Sequence, residues 1–336
     1  MKRFTLPHPF PLLFLGAALC TSAQTAPPSP QMMWADETRV GRPFSKDPSV
    51  VRFGGRYLMY FSLPPFDAQH APTDAPKGWN IGIAESRDLS DWKKIAELHP
   101  EQPCDQKGLC APGALVLNGK VHLFYQSYGG GKLDAICHAV SDDGITFTRD
   151  PRNPVFRPHG DWTSGRAIDA EAFPFNGRLL LYFATRDPSM TTQMVGVASA
   201  DLASDFGPDA WTQLKDAPIL RPELPWEKKC IEASTVTQRG DTLYMFYASA
   251  YNNEPQQVGV AKSADGINWT RLSDQPLLAN GQPGEWNASE SGHPCIFDDA
   301  DGKTWLFFQG NDTKGKTWHL SRVGIDWKDG IPTLTK

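Results

Sequence analysis

Four ionisable side chains lie at the start of hydrophobic segments in this sequence. They are Asp47, Asp169, Glu232 and His293. In IDAEAFPFNGRLLLYFATRD, for example, Asp169 and Glu171 precede two apolar segments joined by an Asn-Gly turn. Burying an unpaired charge is costly, so a carboxylate in such a place needs a partner or a chemical role.

Carboxylates that meet in one site suit the cleavage of a glycosidic bond. That reaction passes through an oxocarbenium-like state, which needs one carboxylic acid to protonate the leaving oxygen and a second carboxylate to act from the opposite side. Like charges held close together raise the pKa of one member, which then keeps its proton near neutral pH while its neighbour is ionised. The chemistry therefore requires elements that bring Asp47, Asp169 and Glu232 together.

Internal repetition predicts those elements. Five similar segments recur at intervals of about 60 residues, and each reads as a strand, a tight turn and a second strand. Four turns contain Gly-Gly, Asn-Gly or Gly-Asp, which tolerate positive φ in a two-residue hairpin, and the fifth has the longer Asp-Asp-Ala-Asp-Gly. The segments are KDPSVVRFGGRYLMYFS from 46, CAPGALVLNGKVHLFYQS from 110, IDAEAFPFNGRLLLYFAT from 168, IEASTVTQRGDTLYMFYAS from 231 and SGHPCIFDDADGKTWLFFQG from 291.

A second pattern follows each hairpin after a polar loop. Small and apolar residues alternate, lead into a Ser-x-Asp-Gly-like turn and leave it through an aromatic residue, which indicates a second hairpin. Four strands in each of five repeats predict an all-β fold, a five-bladed β-propeller with four antiparallel strands per blade, over residues 38–336. A β-sandwich or a β-solenoid is the alternative, but the regular spacing argues against a sandwich.

The innermost strand of each blade lines the central channel of a propeller, so the residues that open the hairpins should meet at one mouth of it. Those residues are Asp47, Ala111, Asp169, Glu232 and His293. Each has a structural alternative, as a turn opener, a strand cap, an exposed edge charge or a core histidine. Their common register favours one shared pocket.

On these residues the sequence resembles glycoside hydrolase family 43 and its relatives, such as arabinanases, arabinofuranosidases, xylosidases and family 117 enzymes, and more distantly the invertase and levansucrase families. The resemblance covers roughly residues 38–330 and includes the order Asp, Asp, Glu in repeats one, three and four. It implies that Asp47 is a general base acting on water, that Asp169 tunes the pKa and orientation of the acid, and that Glu232 is the general acid. It implies no required cofactor, but a calcium or sodium ion can accompany a channel histidine, here His293.

Short differences separate this chain from the invertase-like relatives. Those carry Asn before the first Asp-Pro, Arg-Asp-Pro in the third repeat and Glu-Cys in the fourth, whereas this chain has SKDPS, AIDAE and CIEAS. A retaining, fructan-type mechanism is therefore disfavoured. Glu-Ala-Ser at 232–234 also differs from the Glu-Gly usual in family 43, so the subfamily and the sugar stay open. The long loop at 64–80 favours a closed pocket and exo action.

In addition to His293, four further side chains are candidates for binding the substrate. Trp162, Trp226 and Trp286 fall six or seven residues before the residue that opens the hairpin of their repeat. From there they either stack on a sugar ring or pack within the blade. Arg166, close to Asp169, either binds substrate or balances charge.

The amino-acid composition indicates which kinds of molecule the protein binds. The 336 residues are 40% hydrophobic and 21% charged, with a net charge of −5, as in ordinary folded proteins. No basic cluster stands out, which disfavours nucleic-acid binding. Eleven Trp and 18 Phe supply rings on which sugars can stack. With the resemblance, this predicts an oligosaccharide or polysaccharide of plant or algal origin as the partner.

The N-terminus reads as a secretory signal peptide over residues 1–23. MKR is positive, PFPLLFLGAALC is apolar and TSA supplies small residues for cleavage near Ala23, which predicts a secreted or periplasmic protein. The apolar stretch is too short to span a bilayer. Lipoprotein processing at Cys20 is a weaker alternative because Leu19 stands where a small residue is expected. Residues 24–37 are predicted to be a flexible lead-in.

Export would permit disulfide bonds. Apart from Cys20, five cysteines stand at 104, 110, 137, 230 and 295, so at least one stays without a partner in the chain. Cys104 and Cys110 are close enough in CDQKGLC to form a small disulfide. No CxxC or Cys/His spacing indicates zinc.

The predicted function is a secreted glycoside hydrolase that is exo-acting and inverting. A carbohydrate-binding propeller without hydrolytic activity is one alternative, although it would repeat the same polar residues in every blade, which this chain does not do. A retaining, invertase-like furanosidase is a second alternative. A scaffold propeller needs no convergent carboxylates.

Overall fold

Antiparallel strands build almost the whole of the computed structural model, which describes Met1 and residues 32–335. That part of the chain contains two short 3-10 helices, Gly131–Leu133 and Pro208–Ala210. None of its helices has the length and apolar character needed to cross a membrane. The predicted signal peptide and the predicted lipidation site lie outside the described residues.

The strands form five antiparallel sheets, which confirms the predicted five-bladed propeller. Four sheets have four strands each in the order of the chain, and the fifth sheet has five strands. The innermost strands are β2 (Lys46–Phe53), β6 (Leu109–Leu117), β10 (Ile168–Phe175), β14 (Ile231–Arg239) and β18 (Glu290–Asp298). The second strands are β3 (Arg56–Leu63), β7 (Lys120–Ser127), β11 (Arg178–Arg186), β15 (Thr242–Ser249) and β19 (Thr304–Asn311). The third strands are β4 (Asn80–Ser86), β8 (Ile136–Ser141), β12 (Gln193–Asp201), β16 (Gln257–Ser263) and β20 (His319–Lys328). The outer strands of blades one to four are β5 (Lys93–Leu98), β9 (Thr148–Arg149), β13 (Thr212–Gln213) and β17 (Thr270–Arg271).

Blade five is completed by both ends of the described chain. β1 (Met32–Trp34) and β21 (Ile331–Leu334) pair with different parts of β20. The prediction of a flexible lead-in is wrong for β1, because the apolar side chain of Met32 is buried in the core between blades five and one. The first and last strands thus close the ring through one sheet.

Five hydrophobic clusters fill the spaces between neighbouring blades. Successive side chains of a strand point to opposite faces, so each second strand serves two clusters. Tyr60, for example, packs between blades one and two, whereas Phe61 packs between blades five and one. Burial of each such aromatic side chain contributes roughly 1.5–3 kcal/mol. This packing fixes the angle between blades and hence the position of the innermost strands.

Each innermost strand contains a β-bulge near its start, where the pairing register with the second strand shifts. A bulge inserts one extra residue, bends the strand and redirects a side chain. In every blade one residue of the bulge has positive φ, which is uncommon outside glycine. These residues are Asp47 (53°), Ala111 (45°), Asp169 (51°), Ala233 (48°) and His293 (44°).

Candidate active site

The bulges place the candidate side chains at the mouth of the channel, but not all in the same register. Glu232 is not the bulge residue of blade four; it directly precedes that residue, Ala233. The predicted common register is therefore wrong by one residue for Glu232, because the hairpin pattern does not reveal where the extra residue of a bulge lies. The counterpart of Glu232 in blade one is Lys46.

The structure brings Asp47, Asp169, Glu232 and His293 together in one pocket, which has an empty volume of about 570 Å³. The four residues are between 6% and 9% exposed. A second cavity continues into the channel and is lined by the bulge residues and by Glu171. The four side chains are thus largely buried, and their charges interact strongly.

His293 lies between two carboxylates. Its Nδ1 atom is 2.9 Å from Oδ1 of Asp47, and its Nε2 atom is 3.3 Å from Oε1 of Glu232. The contact with Asp47 is short but poorly aligned for a hydrogen bond, so it is mainly an ion pair. Burial lowers the pKa of His293, but Asp47 and Glu232 outweigh burial and hold this pKa well above its ordinary value. The imidazole is therefore charged.

Glu232 is surrounded by hydrogen-bond donors. Gln193 donates through Nε2 to Oε2 of Glu232, and Gln256 donates through Nε2 to Oε1 at 2.6 Å. Burial raises the pKa of Glu232, but His293 and the other donors outweigh burial, so the pKa lies below its ordinary value. The expectation that neighbouring charges hold a proton on Glu232 itself is not met in the resting site.

Asp169 is the carboxyl group that favours the protonated form. Burial raises its pKa, His293 lowers it, and Glu232 and Asp47 raise it further, to about 7. Among the described residues its Oδ2 atom is buried and has no hydrogen-bond partner. Side-chain ligand atoms of Asp169 and Glu232 lie within 4.8 Å of each other. Each carboxyl group therefore acts on the pKa of the other, and the two are called the Asp169–Glu232 pair.

Asp47 has the opposite tendency. Burial raises its pKa, but His293 and Lys46 outweigh burial, and the pKa lies well below its ordinary value. Lys46 is in turn held by Asn252, whose Oδ1 atom accepts a hydrogen bond from Nζ at 2.8 Å. Burial lowers the pKa of Lys46, whereas Asp47, Glu290 and Glu232 raise it, and the net shift is upward. Asp47 is therefore an ionised carboxylate beside two cations.

Polar side chains at the ends of second strands hold the bulges in place. Oε1 of Gln309 in blade five accepts a hydrogen bond from the backbone N–H of Asp47 at 2.9 Å. Oε1 of Gln126 in blade two accepts one from the backbone N–H of Asp169, also at 2.9 Å. In each case the acceptor belongs to the preceding blade. Blade packing thus sets the positions of the two aspartates directly.

Arg166 lines the pocket, as expected of a substrate- or charge-balancing residue. Its Nε atom is 3.3 Å from Oδ2 of Asp134, and one terminal nitrogen is 3.4 Å from Oε1 of Gln193. Arg166 therefore pairs with Asp134, a residue that the sequence patterns did not select, and it leaves Asp169 without an ion pair to it.

The structure does not bring Trp162, Trp226 and Trp286 to the pocket. Each packs inside its own blade, against the ring of a second-strand residue and over a third- or second-strand glycine. Trp226, for example, stacks on Tyr247 with a centroid distance of 6.1 Å. Their prediction as sugar-stacking residues is wrong because their recurring spacing reflects the repeated packing of the blades.

Other side chains form the wall of the pocket in their place. Trp79 stands at the end of the long loop at 64–80, and its aromatic side chain was the only signal for it in the sequence. Lys46 could have been found by aligning the blades with the bulge included. The pocket-lining residues that sequence reasoning missed are Lys46, Trp79, Cys110, Gln126, Tyr128, Arg186, Gln193, Tyr251 and Asn252.

The predicted Cys104–Cys110 pair does not form. Cys110 faces the pocket, and its Sγ accepts a hydrogen bond from Nε2 of Gln126 at 3.3 Å. Cys104 instead lies 3.5 Å, Sγ to Sγ, from Cys137. Loop proximity in the sequence was misleading because Cys110 already belongs to an innermost strand that turns toward the channel.

Among the described residues, Asp169, Glu232 and His293 are the group whose ligand atoms converge as a metal site requires. The group does not fit a calcium or sodium ion in this geometry. Both nitrogens of His293 face carboxylates and the ring is charged, so it offers no lone pair to a cation. Calcium also needs six or more oxygen ligands.

Curated relatives share part of the chain. A beta-1,2-mannobiose phosphorylase of Thermoanaerobacter sp. (strain X514) is 29% identical over 136 residues, which cover 36% of this chain and 43% of the relative. A 1,2-beta-oligomannan phosphorylase of the same organism is 25% identical over 229 residues, or 61% of this chain and 64% of the relative. The chain thus spans less than two thirds of the length of either relative.

Solved structures share the fold. The crystal structure of a thermostable family-43 glycoside hydrolase superposes with a TM-score of 0.68 at 19% identity, covering 87% of this chain and 93% of the other. The family profile described as glycosyl hydrolases family 43 matches residues 39–332. This match spans all five blades and the pocket, and the chain therefore belongs to glycosyl hydrolases family 43.

Proposed function

We propose that this family 43 protein is a glycosidase that cleaves an oligosaccharide or polysaccharide with inversion of the anomeric carbon. The observation that carries the proposal is the placement of Asp47 and Glu232 on the two nitrogens of one imidazole, that of His293, at the channel mouth. The ring keeps the two carboxylates on separate sides of itself. Such a separation suits a site in which one carboxyl acts on water and the other on the leaving oxygen.

Asp47 takes the part of the general base. Its low pKa keeps it ionised across the working pH range, so it can accept a proton from water as the water attacks the anomeric carbon. His293 and Lys46 stabilise its charge and fix its direction. No bond forms between Asp47 and the sugar in this mechanism.

The Asp169–Glu232 pair supplies the general acid. Asp169 carries the proton in the resting site, since its pKa is about 7 and that of Glu232 is lowered. The proton passes from Asp169 to Glu232 and from Glu232 to the leaving oxygen, and the negative charge that remains on Glu232 is stabilised by the donors around it. Asp169 thus keeps the role of modulator that the resemblance implies, with the proton stored on it.

The resemblance to arabinanases and xylosidases supports a substrate from plant or algal glycans, and the pocket with its aromatic wall supports removal of units from a chain end. Trp79, Tyr128 and Tyr251 line the pocket and offer faces on which a sugar ring can stack. Trp79, at the end of the long loop at 64–80, forms part of one wall. Export to the periplasm or the medium, where such glycans occur, completes the proposal and rests on the N-terminal sequence alone.

Product analysis on a mixed panel of plant and algal oligosaccharides tests this function, with the wild type and Glu232→Gln compared. The proposal expects release of single units by the wild type. The variant should lose roughly 10²–10⁴ in rate on natural linkages and less on aryl glycosides, whose leaving groups need little protonation. Binding across the panel without cleavage would instead identify a carbohydrate-binding propeller.

A further inference from the structure

We infer that the pocket contains a subsite for an oxyanion, formed by Arg186, Arg166 and Lys46. This inference rests on the proposed function and deepens it. The oxyanion is either the carboxylate of an acidic sugar unit in the substrate or a free inorganic phosphate that replaces water as the attacking group. Both share the chemistry that guanidinium and ammonium groups recognise.

Arg186 is the clearest sign of such a subsite. It ends β11 and lines the pocket. Its Nε atom donates to Oε1 of Gln193 at 2.9 Å, and its guanidinium carbon lies 5.0 Å from the centre of the Tyr251 ring. Within residues 32–335 it forms no ion pair, and its two terminal nitrogens have no hydrogen-bond acceptor. A guanidinium directed into a catalytic pocket without a carboxylate is poised for an external anion.

Lys46 and Arg166 add to this positive surface. Lys46 has one hydrogen-bond acceptor, the amide oxygen of Asn252, and no ion pair within the described part of the chain. Arg166 is 7% exposed and pairs with Asp134 through Nε, which leaves its second terminal nitrogen free. Lys46 therefore resembles Arg186 in donating its hydrogen bond to a neutral amide, although its charge also acts on Asp47.

Two contacts show that these cations surround one part of the pocket. Oε1 of Gln193 accepts hydrogen bonds from both arginines, so they flank the same amide. Tyr251, under Arg186, is followed in the chain by Asn252, which holds Lys46. Gln193 also donates to Glu232. Lys46 lies beside Asp47, so the three cations extend from the proposed acid to the proposed base.

The balance of charge favours an anion over a neutral sugar. Lys46, Arg166, Arg186 and the charged His293 face Asp47, Asp169 and Glu232 in the pocket. Arg166 is neutralised by Asp134, and the proton of the Asp169–Glu232 pair removes one negative charge. Lys46 and His293 balance Asp47 and Glu232, so a neutral sugar would leave Arg186 desolvated without a counter-charge, which is unfavourable.

If the anion is phosphate, the reaction balances without any further reactant. A phosphate oxygen forms a bond to the anomeric carbon, the glycosidic carbon–oxygen bond breaks, and the proton of the Asp169–Glu232 pair passes to the leaving oxygen. The products are a sugar phosphate and a shortened glycan. Both curated relatives are named as phosphorylases. If the anion is a sugar carboxylate, water remains the attacking group.

Binding measurements by calorimetry and thermal shift test the subsite with three probes, namely inorganic phosphate, a hexuronic acid and the neutral hexose related to it. We expect at least one of the two anions to bind the wild type more than about 10-fold tighter than the neutral hexose, since a charged hydrogen bond is worth about 1.5–3 kcal/mol. Arg186→Gln should remove this preference and Arg186→Lys should restore part of it. Arg178→Gln is the matched control, because Arg178 is exposed at the opposite end of β11.

Analysis of the reaction products distinguishes the two possible anions, free phosphate and the carboxylate of an acidic sugar. Cleavage that requires phosphate and yields a sugar phosphate identifies phosphate, whereas phosphate-independent cleavage of acidic glycans only identifies the sugar carboxylate. Equal binding of all three probes by the wild type overturns the subsite even if Arg186→Gln fails to fold. If the protein binds an anion but cleaves no glycan, the subsite is supported and the proposed function is wrong. If it cleaves neutral glycans but binds no anion, the proposed function is supported and the subsite is wrong.

Discussion

The imidazole of His293 contacts Asp47 through Nδ1 and Glu232 through Nε2, and thereby couples a carboxylate of blade one to a carboxylate of blade four. His293 comes from blade five, so three blades must be correctly packed before the site exists. The coupling holds both carboxylates ionised and leaves the resting proton on Asp169.

Replacement of His293 should alter the pH profile as well as the rate. His293→Gln removes the charge that lowers the pKa of Asp47 and of Glu232, so both values should rise. The acid limb of the kcat/KM profile, which reports ionisation of the base, should move to higher pH, and kcat should fall by about 10²–10³. Pre-steady-state and steady-state rates between pH 4 and 9 measure this. An unshifted acid limb would show that His293 is only structural.

Asp169→Asn should affect the other limb. The wild-type acid keeps its proton up to about pH 7 because of Asp169, so activity should fall as the pH rises through that value. In the variant Glu232 must hold the proton alone, with a lowered pKa. The basic limb should therefore move to lower pH. If the basic limb does not move in the variant, Asp169 does not hold the catalytic proton.

Much of this architecture could be predicted from the sequence, because hairpin turns and strand alternation are local signals that repeat five times. The placement of Asp47, Asp169 and His293 at one mouth follows from the same repeat. The register of Glu232 could not be predicted, since the bulge adds a residue without a distinctive type. The roles of the tryptophans could not be read either, because packing against Gly196 or Gly259 involves partners from another strand.

Glu171 gives a prediction for stability. It lies in the channel, where burial raises its pKa to about 7 although Val236 N–H and the Thr235 hydroxyl donate to it. A carboxyl whose pKa is raised in the folded state binds a proton that the unfolded chain has lost. Its contribution to stability is therefore present at low pH and is lost as the pH rises from about 4.5 to about 7.

Glu171→Gln should reduce this slope. The amide keeps the acceptor oxygen and never ionises, so the variant should gain roughly 1–3 kcal/mol relative to the wild type at pH 8 and almost nothing at pH 4. Denaturant unfolding at the two pH values measures the difference. Asp143→Asn, at an exposed turn where backbone donors lower the carboxyl pKa to about 2, is a control that should not stabilise the protein at pH 8.

The cysteine contacts predict which thiols join on oxidation. Cys104 and Cys137 are 3.5 Å apart, Sγ to Sγ, and need only a small movement to reach the S–S bond length of about 2 Å. Treatment with oxidised glutathione should convert the two thiols to a disulfide and release two molecules of reduced glutathione. Peptide mapping should find Cys104 linked to Cys137 in the wild type and in Cys110→Ser. A Cys104–Cys110 peptide would contradict the structure.

The stereochemistry of the first-formed sugar tests the central claim most directly. If Asp47 activates water and the Asp169–Glu232 pair protonates the leaving oxygen, time-resolved proton NMR will show the released sugar first with the anomeric configuration opposite to that of the substrate. Asp47→Asn should abolish this release on every substrate, because no carboxylate remains to take the proton of water. A first product that keeps the configuration of the substrate would contradict the account, and would make Asp47 a nucleophile that bonds to the sugar.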